Sequence, residues 1–417
     1  MTSSLRIIVS GLIAQHYSLG GVAWDYLQYL IGLKNLGHDV WYFEDSGEWP
    51  YTLDGGPSGN DWVAKDCLLN IRYLEKVFQF AGMSGRWAYH FPTHSQWFGI
   101  SDSKRKEILE TADLLVNVSG SIDDMAKYMA IKKRVYIDSD PGFTQLKIKM
   151  GDEDISNRIR NHSNHFSFGE KVMNAFENPD MMWHPTRTPI VLSCWEPRRT
   201  GTRFTTIMNW TSYKPVVFDG VSYGQKDTQF VKFLELPKLQ TKSRFEVALS
   251  KTVHKNWLSN VAGDSRAESF DTPAQMLVAF GWGVVDPSSV CRDLFSYRDY
   301  IQNSKGEWSV AKGGYVETKP GWFSCRSACY LAAGKPVVVQ DTGFEEVIPT
   351  GIGVHSFRTL EDAIFGIEQI DRDYDNECEA ARSIAEEYFN ADGVLLRLLE
   401  VAYSSPSEKI DNQKRPQ

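Results

Sequence analysis

Short runs of Val, Ile, Leu and aromatic residues alternate along this chain with longer stretches whose apolar positions recur every three to four residues. Residues 5–10 (LRIIVS), 38–43, 114–118 and 135–138 have the continuous apolar character of strands buried on both faces of a parallel sheet. Between them, residues 22–36, 61–82 and 101–112 carry helical spacing, and Gly37 and Gly82 supply helix stops. The second half repeats the alternation. Strands are predicted at 190–195, 204–210, 216–218, 245–249, 284–287 and 307–312, and helices at 228–234, 273–280, 289–304, 360–370 and 377–403. Strands that alternate with helices in this way define an α/β class with two Rossmann-like, doubly wound parallel-sheet domains.

The chain has 417 residues, more than one ordinary core organises. A Pro-, Asn- and Trp-rich segment, 178–189, marks the connection between residues 1–180 and residues 190–403, and the polar tail 404–417 is expected to be disordered. Hydrophobic residues make up 42% and charged residues 24%, as in soluble globular proteins. The net charge of −8 argues against a nucleic-acid-binding face, which needs a basic surface. Six scattered cysteines show no C-x-x-C and no nearby His cluster, so neither a disulfide framework nor a metal centre is expected. Reduced thiols, the absence of a signal-like leader and the absence of a membrane-length apolar run point to the cytoplasm.

The most informative stretch is 322–344, WFSCRSACYLAAGKPVVVQDTGF. Ser324 is placed to cap a helix that Gly334 and Pro336 end, and Val337, Val338 and Val339 form a buried strand. Gln340, Asp341, Thr342 and Gly343 form a loop at its carboxyl end, where ligands sit in open α/β sheets. The helix start offers free N–H groups and a positive dipole end to a phosphate, with Arg326 and Ser327 in its first turn. An ordinary helix–strand unit needs no ligand, so these residues alone leave both readings open. Elsewhere, Asp138 and Asp140 bracket the end of a strand and suit either acid–base chemistry or a turn before Pro141-Gly142. His16 lies in the loop that Gly20 and Gly21 close, and a neutral imidazole there can accept a proton. The aromatic segment 86–100 reads as a loop that lines a site or covers the sheet.

The run from Ala332 to Val339, followed by DTGFEEV and Thr350-Gly351-Ile352-Gly353, resembles the donor-nucleotide region of GT-B glycosyltransferases. The resemblance extends to an uncharacterised bacterial branch through residues 20–29 (GGVAWDYLQY), 138–145 (DSDPGFTQ) and 219–226 (DGVSYGQK). It implies a cleft between an acceptor-side first domain and a donor-side second domain, with the last helix crossing back to the first. It implies a glycosyltransferase (EC 2.4) that takes a UDP-, dTDP- or GDP-sugar as co-substrate, passes the sugar to a small-molecule or glycan hydroxyl, and holds no permanent cofactor. The donor residues implied are Gly20, Gly21, Tyr223, Gly224, Lys226, Lys312, Ser324, Arg326, Ser327, Asp341, Thr342 and Gly343; the catalytic candidates are His16, Asp138 and Asp140. Asp138-Ser139-Asp140 spells the metal-bridging Asp-x-Asp but lies in the acceptor half, so the reaction is expected to be metal-independent. Many retaining members carry Glu five residues before the helix-ending Gly; this chain has Cys329 there. A nucleotide-sugar epimerase of the same fold, or a non-catalytic nucleotide-sugar-binding relative, is the alternative.

Overall fold

The computed structural model describes residues 4–50, 66–92, 96–172, 181–249 and 266–404. The predicted tail and the first residues of the helix expected at 61–82 lie outside the described residues. Strand β1 (Arg6–Ser10) pairs in parallel with β2 (Asp39–Glu44) and β5 (Leu114–Val118), so Ile7 sits between Val40 and Leu114. With β3 (Trp87–Phe91), β4 (Gln96–Gly99), β6 (Lys133–Asp138), β7 (Asn164–Ser167) and β8 (Trp183–Pro185) they form an eight-stranded sheet ordered β4-β3-β2-β1-β5-β6-β7-β8. Chain direction of the strand order reverses at β1/β5, which opens a crevice at the carboxyl ends. The aromatic segment around residue 90 is not a loop. It forms β3 and the antiparallel edge strand β4, with Tyr89 opposite Phe98. The segment read as a linker contains β8, which carries the first sheet past residue 180.

The second sheet is parallel throughout, in the order β13-β12-β9-β14-β15-β16, with a small hairpin, β10 (Val216–Phe218) and β11 (Val221–Tyr223), beside it. Its strands are β9 (Arg203–Ile207), β12 (Arg244–Ala248), β13 (Gly283–Val285), β14 (Gly306–Ser309), β15 (Val337–Gln340) and β16 (Val354–Phe357). Here the order reverses at β9/β14. Alternation along β15 sets the layers: Val337 and Val339 join the core that faces the first domain, while Val338 turns to Trp308 and Phe357 on the other side. Residues 190–195 form no strand. Ile190 makes a single bridge to Asn390, and Leu192–Cys194 is a 3₁₀ turn. The long terminal helix predicted from 377 is broken at Asn390, which caps a separate helix, Ala391–Tyr403.

Six helices border the space between the sheets or close it: α1 (Gly20–Asn35), α2 (Lys226–Phe230), α3 (Leu294–Gln302), α4 (Gly313–Thr318), α5 (Cys325–Ala332) and α6 (Ala391–Tyr403). Helix α1 is apolar around most of its circumference because elements of both domains cover it. The Trp24 indole donates to the Leu294 carbonyl at 2.8 Å, and Gln28 accepts from Val191 N at 2.8 Å. Gly20 is required by proximity: a Cβ there would lie 2.1 Å from the Asp293 carbonyl oxygen, and one on Gly21 would lie 2.9 Å from the Tyr297 ring. Gly20→Ala is therefore expected to cost about 1–3 kcal/mol through overpacking. Gly393→Ala, whose Cβ meets nothing within 4 Å in α6, should instead stabilise by about 0.5–1 kcal/mol. Urea denaturation midpoints of the two variants check both signs.

Candidate functional site

A cavity of about 390 Å³ opens between the domains at the carboxyl ends of both sheets. From the first domain it is lined by residues 19–22, Asp25 and Ser139; from the second, by Ile207, Lys226, Lys312, Tyr315, Trp322 and residues 324–326, among others. Helices α1 and α5 begin at it from opposite sides, so two positive dipole ends converge, although the first N–H of α1, that of Gly20, already donates to the Cys291 carbonyl at 2.9 Å. Neither start has a side-chain cap or an acidic residue in its first turn. Helices that start elsewhere, after Ser101, Asp152, Thr272 and Thr359, are each capped by those side chains. Ser324 takes the cap position of α5 without donating or accepting a capping bond.

Three cations meet this space. Lys226, the first residue of α2, forms no hydrogen bond or ion pair with a described residue. Burial and the nearby charges of Arg326 and Lys312 push its ammonium well below the ordinary lysine range, against the pull of Glu307. Lys312, which precedes α4, reaches across the domain boundary to Asp140 Oδ1 at 2.8 Å and also donates to Tyr213 at 3.1 Å. Burial works against the Asp140 charge, but Lys312 and the hydroxyls of Tyr315 and Tyr213 hold that carboxyl below its usual range. Arg326 is turned away from the position expected of it. Its Nε contacts Glu307 Oε1 at 2.5 Å, Nη1 donates to the Ile207 carbonyl at 2.8 Å, and Nη2 donates to Ser309 at 2.6 Å. The guanidinium thus bridges β9 and β14 at the switch point, where Glu307 is fully buried, and only borders the cavity.

The remaining sequence candidates divide by position. Gly20 and Gly21 line the cavity. Tyr223 belongs to an aromatic cluster with Phe143, Tyr213, Tyr315 and Trp322, and the Gly224 carbonyl accepts from Gly314 N, so both frame the approach of α4 to Lys226. Ser327 is buried with no partner for its hydroxyl among the described residues, and it lines a smaller void of about 20 Å³ behind Ser324. Asp341, Thr342 and Gly343 do not line the larger cavity. Asp341 is committed to Lys319 at 2.5 Å, Arg358 at 2.9 Å and Gly343 N at 2.7 Å, and Thr342 donates to the Trp322 carbonyl. Gly343, at φ +88°, permits the turn that makes this brace.

Asp138 also serves the scaffold. It is buried and accepts from Thr144 at 2.7 Å, Gln145 at 2.9 Å and Ser167 at 3.0 Å, which shapes the loop carrying Asp140. His16 lies off the cavity, and burial lowers its imidazole to about 4. Its loop is held by Glu44, whose oxygens accept from Ala14 N at 2.7 Å and Gln15 N at 2.6 Å. The acidic residue that does line the cavity is Asp25, one turn into α1. It was legible as the only charge between Gly20 and Leu33 in an apolar helix.

No known family profile matches the sequence, and no curated protein matches it. Solved structures do. A glycosyltransferase from Rickettsia africae ESF-5 is 12% identical, with 99% of this chain and 100% of that one covered and a TM-score of 0.52. HepE of Anabaena, solved with UDP and glucose, is 9% identical over 96% and 100% of the two chains, with a TM-score of 0.55. Sucrose-phosphate synthase from Thermosynechococcus elongatus is 11% identical over 95% and 97%, with a TM-score of 0.53. Two doubly wound domains that face each other across a cleft, with this agreement over their whole length, define the class: the chain has the GT-B fold. No described helix is long and apolar enough to cross a membrane.

Because Arg326 neutralises a buried carboxylate, Arg326→Ala should destabilise the fold by about 3–5 kcal/mol. Replacing Glu307 by Leu in the same chain should recover part of that loss. Denaturation of the single and double variants measures the recovery.

Proposed function

We propose that the protein is a glycosyltransferase that binds the diphosphate of a nucleotide sugar in the interdomain cavity and passes the sugar to an acceptor hydroxyl. The observation that carries this reading is Lys226: a half-buried cation without a partner among the described residues, beside two further cations, where two uncapped helix starts meet. Leaving an ammonium unpaired there is costly unless an anion completes the site. A diphosphate supplies the charge, and its departure from the anomeric carbon is eased by the same fixed positive field. In this reading Lys226 and the start of α5 hold the phosphates, Lys312 is released from Asp140 toward them, and protein cations take the part that a divalent ion plays elsewhere. UDP is the first nucleotide to test, since HepE was solved with it. The acceptor enters from the first-domain side. The six free cysteines suit the cytoplasm, where nucleotide sugars are available.

The test is a thermal-shift screen of UDP, dTDP and GDP and their sugars. A ligand at a hundred times its dissociation constant adds about 2.7 kcal/mol to stability. Lys226→Met should abolish that shift, while the empty variant melts no lower than wild type because the unpaired charge is gone. Failure of every nucleotide and nucleotide sugar to shift the melting curve would remove the reading. Release of free nucleotide diphosphate only when an acceptor is present separates transfer from epimerisation.

A further inference from the structure

The cavity assembled for an anion contains one group of the wrong sign. Asp25 projects into it from α1, and among the described residues no other acidic side chain lines it. A carboxylate there would repel a diphosphate on the start of α5. Yet Asp25 forms no ion pair with a described residue, because the nearest guanidinium, that of Arg326, is engaged by Glu307, Ile207 and Ser309. Its contact is the thiol of Cys325, the first residue of α5. The groups that face it are Cys325, Cys329 and Arg326 on α5 and Tyr297 on α3, with Tyr26 and Tyr29 beside it on α1. Only Arg326 among these is cationic, and it already has its counter-ion.

We propose that Asp25 takes part in donor binding as a neutral carboxylic acid, its hydroxyl donating to a phosphate oxygen seated on the start of α5. The idea rests on the donor reading above. It converts a repulsive residue into a hydrogen-bond donor, and it makes binding take up a proton. Burial lifts the empty-site carboxyl to about 7, against the opposing pull of Cys325 and Arg326, and a phosphate alongside raises it further. Below pH 7 the acid is already protonated and adds no pH dependence. Lys226 and Lys312 line the same cavity, and any proton that the depressed Lys226 ammonium takes up is shared by wild type and Asp25→Asn, so the difference in slope between the two reports Asp25. Above pH 7 each unit of pH removes the required proton, and affinity falls.

The experiment is calorimetric titration of UDP-glucose into the full-length protein between pH 5.5 and 8.5, since both phosphates of this probe keep one charge across that range. Wild-type affinity should fall up to tenfold per pH unit above 7. Asp25→Asn, which donates without titrating, should bind at pH 6 within about threefold of wild type and lose one unit of slope in log Kd against pH. Asp25→Ala should also lose that slope but bind several-fold more weakly, having no donor. An Asp25→Asn slope equal to wild type, a flat wild-type profile, or Asp25→Asn binding tenfold weaker at pH 6 in a protein of unchanged melting temperature would each overturn the proposal. No UDP-glucose binding by wild type at any pH would instead overturn the donor reading for this nucleotide.

Discussion

The rest of the structure depends on how closely α1 approaches the second domain. A helix with side chains at positions 20 and 21 would be held away from α3 by the Asp293 carbonyl and the Tyr297 ring. With glycines there, the start of α1 comes to within reach of the start of α5, and the cavity between them has a roof. The same contact explains why Trp24 and Gln28 are buried in a helix that opens a nucleotide-type fold: they fasten it to the partner domain. A second fastening, Asp140 with Lys312, Tyr213 and Tyr315, lies on the other side of the cavity and ties the first domain's loop to α4. The space between is bounded by two seams, one apolar and one ionic.

The positive field of the site follows from what is left unfinished. The two other cations at the cavity each face an acid, Lys312 with Asp140 and Arg326 with Glu307, and Arg326 shows how complete such a pairing is when the group is buried. Lys226 departs from the pattern, as do the two helix starts. Several helices away from the cavity are capped by Ser, Thr or Asp; at the cavity the starts of α1, α2, α4 and α5 all lack a side-chain cap, which keeps a region of positive potential there.

Much of this was legible in the sequence, because period and punctuation are local. Strand runs such as IIV and VVV, and stops such as Gly37 and Gly334, placed both sheets and their order of helices. What failed was non-local. Nothing in residues 86–100 says that Tyr89 pairs with Phe98, and the break at Asn390, marked only by its capping side chain, is hidden by helical spacing on both sides. Lys226, Lys312 and the start of α5, which residue type and Gly loops single out locally, line the cavity between the domains. The sequence does not reveal that Arg326 faces Glu307, or that Asp138 and Asp341 answer to the scaffold, because their partners come from distant segments. Asp25 stands in the sequence as an isolated charge in an apolar helix, but only the packing of α1 against α5 brings it to the cavity.

The late helix α6 has a consequence for how the protein is made. Ala391 N bonds back to the Ile190 carbonyl at 2.9 Å, Leu395 fills the surface over Gly32, and Tyr403 reaches the Asp113 carbonyl at 3.2 Å. The face of α1 that this helix shields belongs to the first domain, yet its cover emerges from the ribosome after almost all of the second. While synthesis proceeds, the early domain therefore carries a bare apolar strip, the kind of surface that chaperones bind. Its final burial waits on the arrival of α6, so the two halves mature together.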